Sequence, residues 1–313
     1  QTPVYPPDNT RRMNLLDVLK FTGEDHKLSS TGGGSFESYL QSNKFFIPVN
    51  NGFAKANGWI ADSVRTNPRV EIDLKRNYLI KDELAVLDVI ASNINDRPVY
   101  FSVTCQEAKL QGMSDFTQLE GLGLRVIPQK NRSDNKYYIY GSGKIAYDKI
   151  YDNIMNKFKW GNFDKRKMYV DKSYGASVQA HRMVMLRAAE GFMLIGDADK
   201  ANALTDKFFE AFPNMNFTYD AKILPFINIY LRTGAYDKAK QELRVLARET
   251  AESLKFYYSL DDADRTGSFN GEYSMANGAM NDIKRLATQV TDNDFKNEID
   301  AMFADYATAQ TPN

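Results

Sequence analysis

A chain of 313 residues is long enough for two domains of ordinary size, and its 40 Lys and Arg are balanced by 40 Asp and Glu. No global field therefore draws it to nucleic acid or to an anionic membrane, although a local basic patch is compatible with that balance. One cysteine, Cys105, and two histidines, His26 and His181, exclude an intrachain disulfide and a typical structural zinc site.

Taken in order, the opening QTPVYPPDNTRR, residues 1–12, reads as a linker from a longer polypeptide. It carries no signal-peptide pattern, and no later apolar run has the length to span a bilayer, so the chain as given is expected to be soluble. MNLLDVLKF predicts a short helix over 13–21 with Leu15, Leu16, Leu19 and Phe21 on one face. The glycine run in SSTGGGS, 29–35, has neither a preceding strand nor a following Gly-Lys-Ser/Thr, so it reads as a flexible loop rather than a phosphate cradle. Strands are predicted over 44–49 and 70–74, with an irregular connection that holds Trp59 between them. Strands over 99–103 and 122–127 complete a sheet of about four members, with a helix over 82–93 as crossover and the last two strands parallel. Residues 136–140, KYYIY, add a candidate edge strand.

Beyond Gly141 the pattern is helical. Ile150, Ile154 and Phe158 recur over 147–158, and Trp160-Gly161 marks the end of that helix. Amphipathic segments then follow over 177–195, 198–211, 219–233, 236–258, 272–290 and 293–307, with connections short enough for antiparallel neighbours. Two junctions repeat at a spacing of 38 residues, from Phe192 to Ala201 and from Tyr230 to Ala239. Each reads aromatic, apolar, two variable, Gly, two variable, Asp-Lys-Ala: Gly takes a left-handed conformation that closes one helix, Asp sits in the first turn of the next, and Ala permits a close crossing. This is similar to a tetratricopeptide repeat, lengthened from its usual period of about 34. The expected organisation is a linker, 1–12; an α/β domain with a small, partly parallel sheet, 13–141; and an all-α, tetratricopeptide-like domain, 142–313.

Several pieces together resemble one family. Leu16 to Phe21, Phe46-Ile47-Pro48-Val49, Lys81 to Ile90, Asn95 to Phe101 and Leu119 to Pro128 occur in the order found in the C-terminal region of bacterial multi-span membrane proteins of unknown function (DUF2723). That family is related to the eukaryotic transmembrane protein O-mannosyltransferases. Here Ile94 to Pro98 lacks the family's usual Trp, and Gly123-Leu124 replace a small residue and an aromatic. The resemblance implies a periplasmic domain of an inner-membrane protein, set against the membrane-embedded part of its own parent chain. The hydrophobic spans and acidic loop that would carry glycosyl transfer in such enzymes are not in this sequence.

Chemistry-bearing residues are few. Glu120 and Arg125 flank the last predicted strand and Asp96-Arg97 precedes the central one, so charges gather at strand ends, where open α/β sheets place ligands. The competing reading has Arg97 and Glu120 pair with each other, or cap backbone groups, as bracing. Trp59, Trp160 and Tyr174 suit either sugar stacking or hydrophobic packing. Asp82 and Glu83 complement a helix dipole, and Cys105 lacks a nearby base. The run from Asp262 to Phe269 resembles the start of a calcium loop, yet its twelfth position is Tyr273 and the acid, Glu272, comes one residue early. Candidate binding residues are thus Arg97, Glu120, Arg125, Trp59 and Trp160, with no catalytic residue, metal ligand or cofactor assigned. Two functions follow: a non-catalytic accessory domain of a membrane glycosyltransferase-like protein that presents a surface to acceptor proteins or peptides, or an independent helical-repeat module that binds peptide. A free-standing hydrolase is disfavoured, and nucleic acid is not an expected partner.

Overall fold

In a computed structural model of the chain, the described residues are 1–24, 28–29, 35–36, 38–60, 62–63, 65, 68–130 and 143–307. The chain divides into two compact units, Gln1–Ile150 and Tyr151–Asn313. The first is a small α/β unit and the second is helical, as the hydrophobic periods predict. The glycines of 29–35, the candidate strand over 136–140 and His26 lie outside the described residues.

The α/β unit runs β1 (Thr2–Pro3), β2 (Met13–Asn14), α1 (Leu15–Thr22), β3 (Leu28–Ser29), β4 (Ser35–Phe36), β5 (Lys44–Pro48), α2 (Asn51–Ala56), β6 (Arg69–Asp73), β7 (Tyr78–Leu79), α3 (Lys81–Asn93), β8 (Tyr100–Ser102), β9 (Thr117–Leu119), β10 (Gly123–Val126), β11 (Lys144–Ile145) and the start of α4 (Tyr147–Asp152). One sheet has the order β2-β5-β6, with β2 parallel and β6 antiparallel to β5. Phe45 and Ile47 alternate inward against Val70 and Ile72, and all four are fully buried. Leu15 and Val18 of α1, with Leu87, Ile90 and Ala91 of α3, close the same core. Leu16 is exposed rather than inward. Asn14 caps the helix, accepting from the Leu16 amide at 3.2 Å, and that entry turns Leu15 and Val18 to the core.

The second sheet has the order β11-β9-β10-β8. The expected single sheet is therefore two, and β8 and β10 pair antiparallel, not parallel. A parallel pair needs a long crossover between its strands. Helix α3 precedes β8 and packs on α1 instead, while the segment between β8 and β9 makes only short 3-10 turns at Glu107–Leu110 and Ser114–Phe116. A tight β9–β10 hairpin then reverses the chain through Gly121, at φ +136. Residues 1–12, read as a linker, include β1, which pairs with β7, and Val4, which is buried.

The helical unit comprises α5 (Gly175–Leu194), α6 (Ala198–Ala211), α7 (Leu224–Arg232), α8 (Tyr236–Ser259), α9 (Asp262–Thr266), α10 (Asn270–Ala287), α11 (Asn293–Met302) and α12 (Ala304–Ala307), close to the six predicted segments. Helix α5 packs on α6, α7 on α8, and α10 on both α8 and α11. Phe208 and Phe226 stack at 3.6 Å in the middle of this core. The two repeated junctions share one geometry. Gly196 and Gly234 sit at φ +83 and +77, and the following amides, Asp197 and Ala235, donate back to the Phe192 and Tyr230 carbonyls at 2.9 and 2.8 Å. This is the Schellman closure, with the left-handed residue free of neighbours. Gly196→Ala is accordingly expected to cost about 1–2 kcal/mol through backbone conformation alone, read as a lower urea midpoint with an unchanged slope. Among the described residues no helix is long and apolar enough to cross a membrane.

Candidate functional site

Two features of the α/β unit collect polar side chains. The first is built on the β9–β10 hairpin. Glu120 at its turn is 7% exposed and Arg125 on β10 is 6% exposed. Around the carboxylate, Tyr100 Oη donates to Oε2 at 2.7 Å, and Gln118 Nε2 and Lys149 Nζ donate to Oε1 at 2.8 and 3.0 Å. The Arg125 guanidinium lies 3.7 Å from Oε1 and donates through Nη2 to Asn57 Oδ1 at 2.9 Å. It also sits over the Trp59 ring at 4.8 Å and the Tyr100 ring at 6.0 Å. Gly123 leaves room for Tyr100: an added Cβ would stand 3.0 Å from the ring.

Burial alone would push the Glu120 carboxyl up, but the hydrogen bonds from Tyr100, Lys149 and Gln118 outweigh it and hold the group below the usual range. The Tyr100 phenol is pushed up to about 12 by burial and by its bond to that carboxylate. An ionised acceptor surrounded by donors is not a proton donor at neutral pH, so the arrangement suits bracing or electrostatic recognition rather than general acid catalysis. Trp59 Nε1 and Arg125 Nε are buried without an acceptor among the described residues.

Of the residues predicted from sequence, Glu120, Arg125 and Trp59 meet here. Arg97 does not: it is exposed and lies 3.5 Å from Asp96, so the Arg97–Glu120 pairing is not formed. Trp160 belongs to the helical unit, edge-on to Phe158, His181 and Phe212. His181 Nδ1 is 2.7 Å from the Ser177 carbonyl. Tyr100, Gln118, Asn57 and Lys149 were not singled out by sequence. None of the four carried a readable signal, since β9, which holds Gln118, is only three residues long.

The second feature is a cleft of about 840 Å³ between the end of β6, the start of α3 and the two 3-10 turns. Its acids are paired: Asp73 with Arg12 at 2.6 Å, Glu71 with Arg69 at 2.7 Å, Glu83 with Arg76, and Asp115 with Lys130 at 3.9 Å. Glu83 is 4% exposed and accepts from the Ile80 amide at 3.0 Å, so it serves as the N3 acceptor of α3. Gln111 and Gly112 follow one another at φ +50 and +78, where an added Cβ on Gly112 would meet the Asp73 carbonyl at 3.1 Å. The acidic and basic side chains that line the cleft balance, and Leu74, Ile80 and Phe116 add apolar surface.

Among the described residues no three His, Cys, Asp or Glu gather in a metal-binding group. The calcium-like run is helical: Asp261 accepts from the Asp264 amide at 2.8 Å as the cap of α9, and Asp262 pairs with Arg265. With Asp262–Thr266 wound as a helix, the alternate oxygens of the run are not arranged as a chelating loop. Millimolar calcium is therefore expected to leave the thermal midpoint unchanged. A reproducible rise that Asp264→Ala abolishes would contradict this assignment.

Neither the curated proteins nor the solved structures include one that matches the chain. Residues 4–147, which hold Trp59, Tyr100, Glu120, Arg125 and the whole cleft, match the family model described as TMEM260-associated domain 2.

Proposed function

We propose that the chain is a non-catalytic, extracytoplasmic accessory region of a multi-span membrane glycosyltransferase-like protein. The observation that carries this reading is the match of residues 4–147 to TMEM260-associated domain 2, joined to the ordered motifs that resemble the relatives of transmembrane protein O-mannosyltransferases. The charge chemistry fits it, since Glu120 is held ionised by three donors and the acids named around the cleft are paired. In this role the α/β unit would serve the membrane-embedded part of its own parent chain, on the periplasmic side, and the helical unit would offer its surface to acceptor proteins or peptides. Glu120, Arg125 and Trp59 are the residues proposed for a contact in the α/β unit; Arg97 and Trp160 stand apart from them.

The test is expression of a full-length parent with and without residues 13–307 in a null strain. Loss of glycosylated periplasmic proteins in the truncated strain, with no turnover by the purified fragment, is the expected result. Full glycosylation by a stably inserted truncated parent would refute the accessory role. A second reading, an independent peptide-binding helical repeat, is favoured by one specific observation: the two Schellman junctions at Gly196 and Gly234 recur with the same hydrogen bonds. A signal peptide directly upstream of Gln1, in place of membrane spans, would select it.

A further inference from the structure

We propose that the segment from Lys157 to Tyr174 is a contact site for an anionic membrane surface, an assignment that stands apart from the accessory reading. The chain as a whole is electrically neutral, yet this segment holds six cations, Lys157, Lys159, Lys165, Arg166, Lys167 and Lys172, against Asp164 and Asp171. Only Lys157 forms an ion pair among the described residues, with Asp152. The other five are exposed. Tyr169, 87% exposed, is the most exposed of the large apolar side chains among the described residues, and Tyr174 is 55% exposed.

The loop is fixed from beneath. Gly161 and Asn162 take left-handed conformations at φ +61 and +64, and the Lys165 and Arg166 amides donate back to the Asn162 carbonyl at 3.0 and 3.2 Å. Trp160 packs edge-on to Phe212 at 5.6 Å and Phe163 to Phe217 at 5.1 Å. The Asn216 side chain accepts from the Met168 amide at 2.7 Å and donates to the Phe163 and Arg166 carbonyls at 2.7 and 2.6 Å. Phe158, Trp160 and Phe163 are consumed in packing, and three consecutive cations with a tyrosine near them are left outside on an anchored backbone. Of the two carboxylates, Asp171 is engaged with the Ser173 amide at 2.8 Å.

Clustered Lys and Arg gain from the potential of anionic headgroups, and tyrosine, with an apolar ring and a polar tip, is enriched at the depth of those headgroups. Charge confined to one short loop suits a diffuse lipid surface. A nucleic-acid strand would instead call for cations tracking a backbone and an open stacking platform, and here the ring of Trp160 is used in packing.

The experiment is flotation of the 313-residue chain with vesicles of equal parts phosphatidylglycerol and phosphatidylcholine, and with phosphatidylcholine alone. Partition is expected to favour the anionic vesicles and to fall with added salt. The triple variant Lys165→Gln, Arg166→Gln, Lys167→Gln should lower it by on the order of a hundredfold at low salt, with Tyr169→Ala giving a smaller loss. Thermal melts verify that each variant is folded, and Lys159→Gln with Lys172→Gln supplies a second charge-removing variant away from the Asn216 anchor. Equal partition onto both vesicle types, or onto anionic vesicles with wild type and both folded charge variants alike, would overturn the proposal. So would tighter binding to polyuridine RNA or to polyglutamate at the same ionic strength.

Discussion

Glu120→Leu is expected to destabilise the α/β unit by roughly 3–5 kcal/mol, the scale for removing one partner of a buried ion pair, whereas Arg125→Leu should cost distinctly less. The asymmetry follows from who else is present. Without the carboxylate, a guanidinium that is 6% exposed retains one hydrogen bond, to Asn57, and its Nε already lacks an acceptor. Without the guanidinium, Glu120 still accepts from Tyr100, Gln118 and Lys149. Urea denaturation of the two variants decides it, and equal losses would mean that the bracing does not run through Glu120. A pH series adds a second readout. The Glu120 carboxyl is held below its ordinary range, so its contribution is complete above that range and disappears as pH falls through the lowered value. The stability gap between wild type and Glu120→Gln should therefore shrink on acidification and be constant near neutrality.

That cluster also marks how far the sequence could be read. The strands read over 44–49 and 70–74 lie within a residue of β5 and β6, because Phe45, Ile47, Val70 and Ile72 share one buried face. Alternation gave no warning of β9, since Thr117-Gln118-Leu119 is too short to show a period, and without β9 the β8–β10 pair looked parallel. Glu120 and Arg125 were legible as charges beside a turn. Their companions were not: Lys149 reaches Glu120 from α4 and Asn57 reaches Arg125 from the end of α2, contacts set by tertiary packing rather than by any local spacing. The basic loop was legible only as a possibility. Its charge was visible in the sequence, whereas the Asn216 side chain that anchors it lies about fifty positions away. The calcium-like run, set aside in the sequence because its acid, Glu272, comes one residue early, begins instead as a helix, Asp262–Thr266, capped by Asp261.

The helical half was the most legible part, and it carries the other large prediction. Ala201 and Ala239 are fully buried at equivalent positions in α6 and α8, where the helices of each hairpin meet. A side chain as large as Trp at either place must separate helices that are packed without space, so Ala201→Trp and Ala239→Trp should each cost upwards of about 3 kcal/mol, the upper end of ordinary overpacking. Lys240 is a poor surface control, because it pairs with Asp292, the cap of α11, at 2.8 Å. Glu252, exposed on α8, is the better one. Glu252→Trp is expected to leave the thermal midpoint within a degree or two of wild type, since surface substitutions usually stay within about 0.5 kcal/mol. Should all three variants melt together, the two alanines would not lie at close helix crossings and the repeat relation between the hairpins would fall. Should Ala239→Trp alone unfold the unit, only the α7–α8 hairpin would be closely packed, and the 38-residue correspondence would describe the connections but not the crossings.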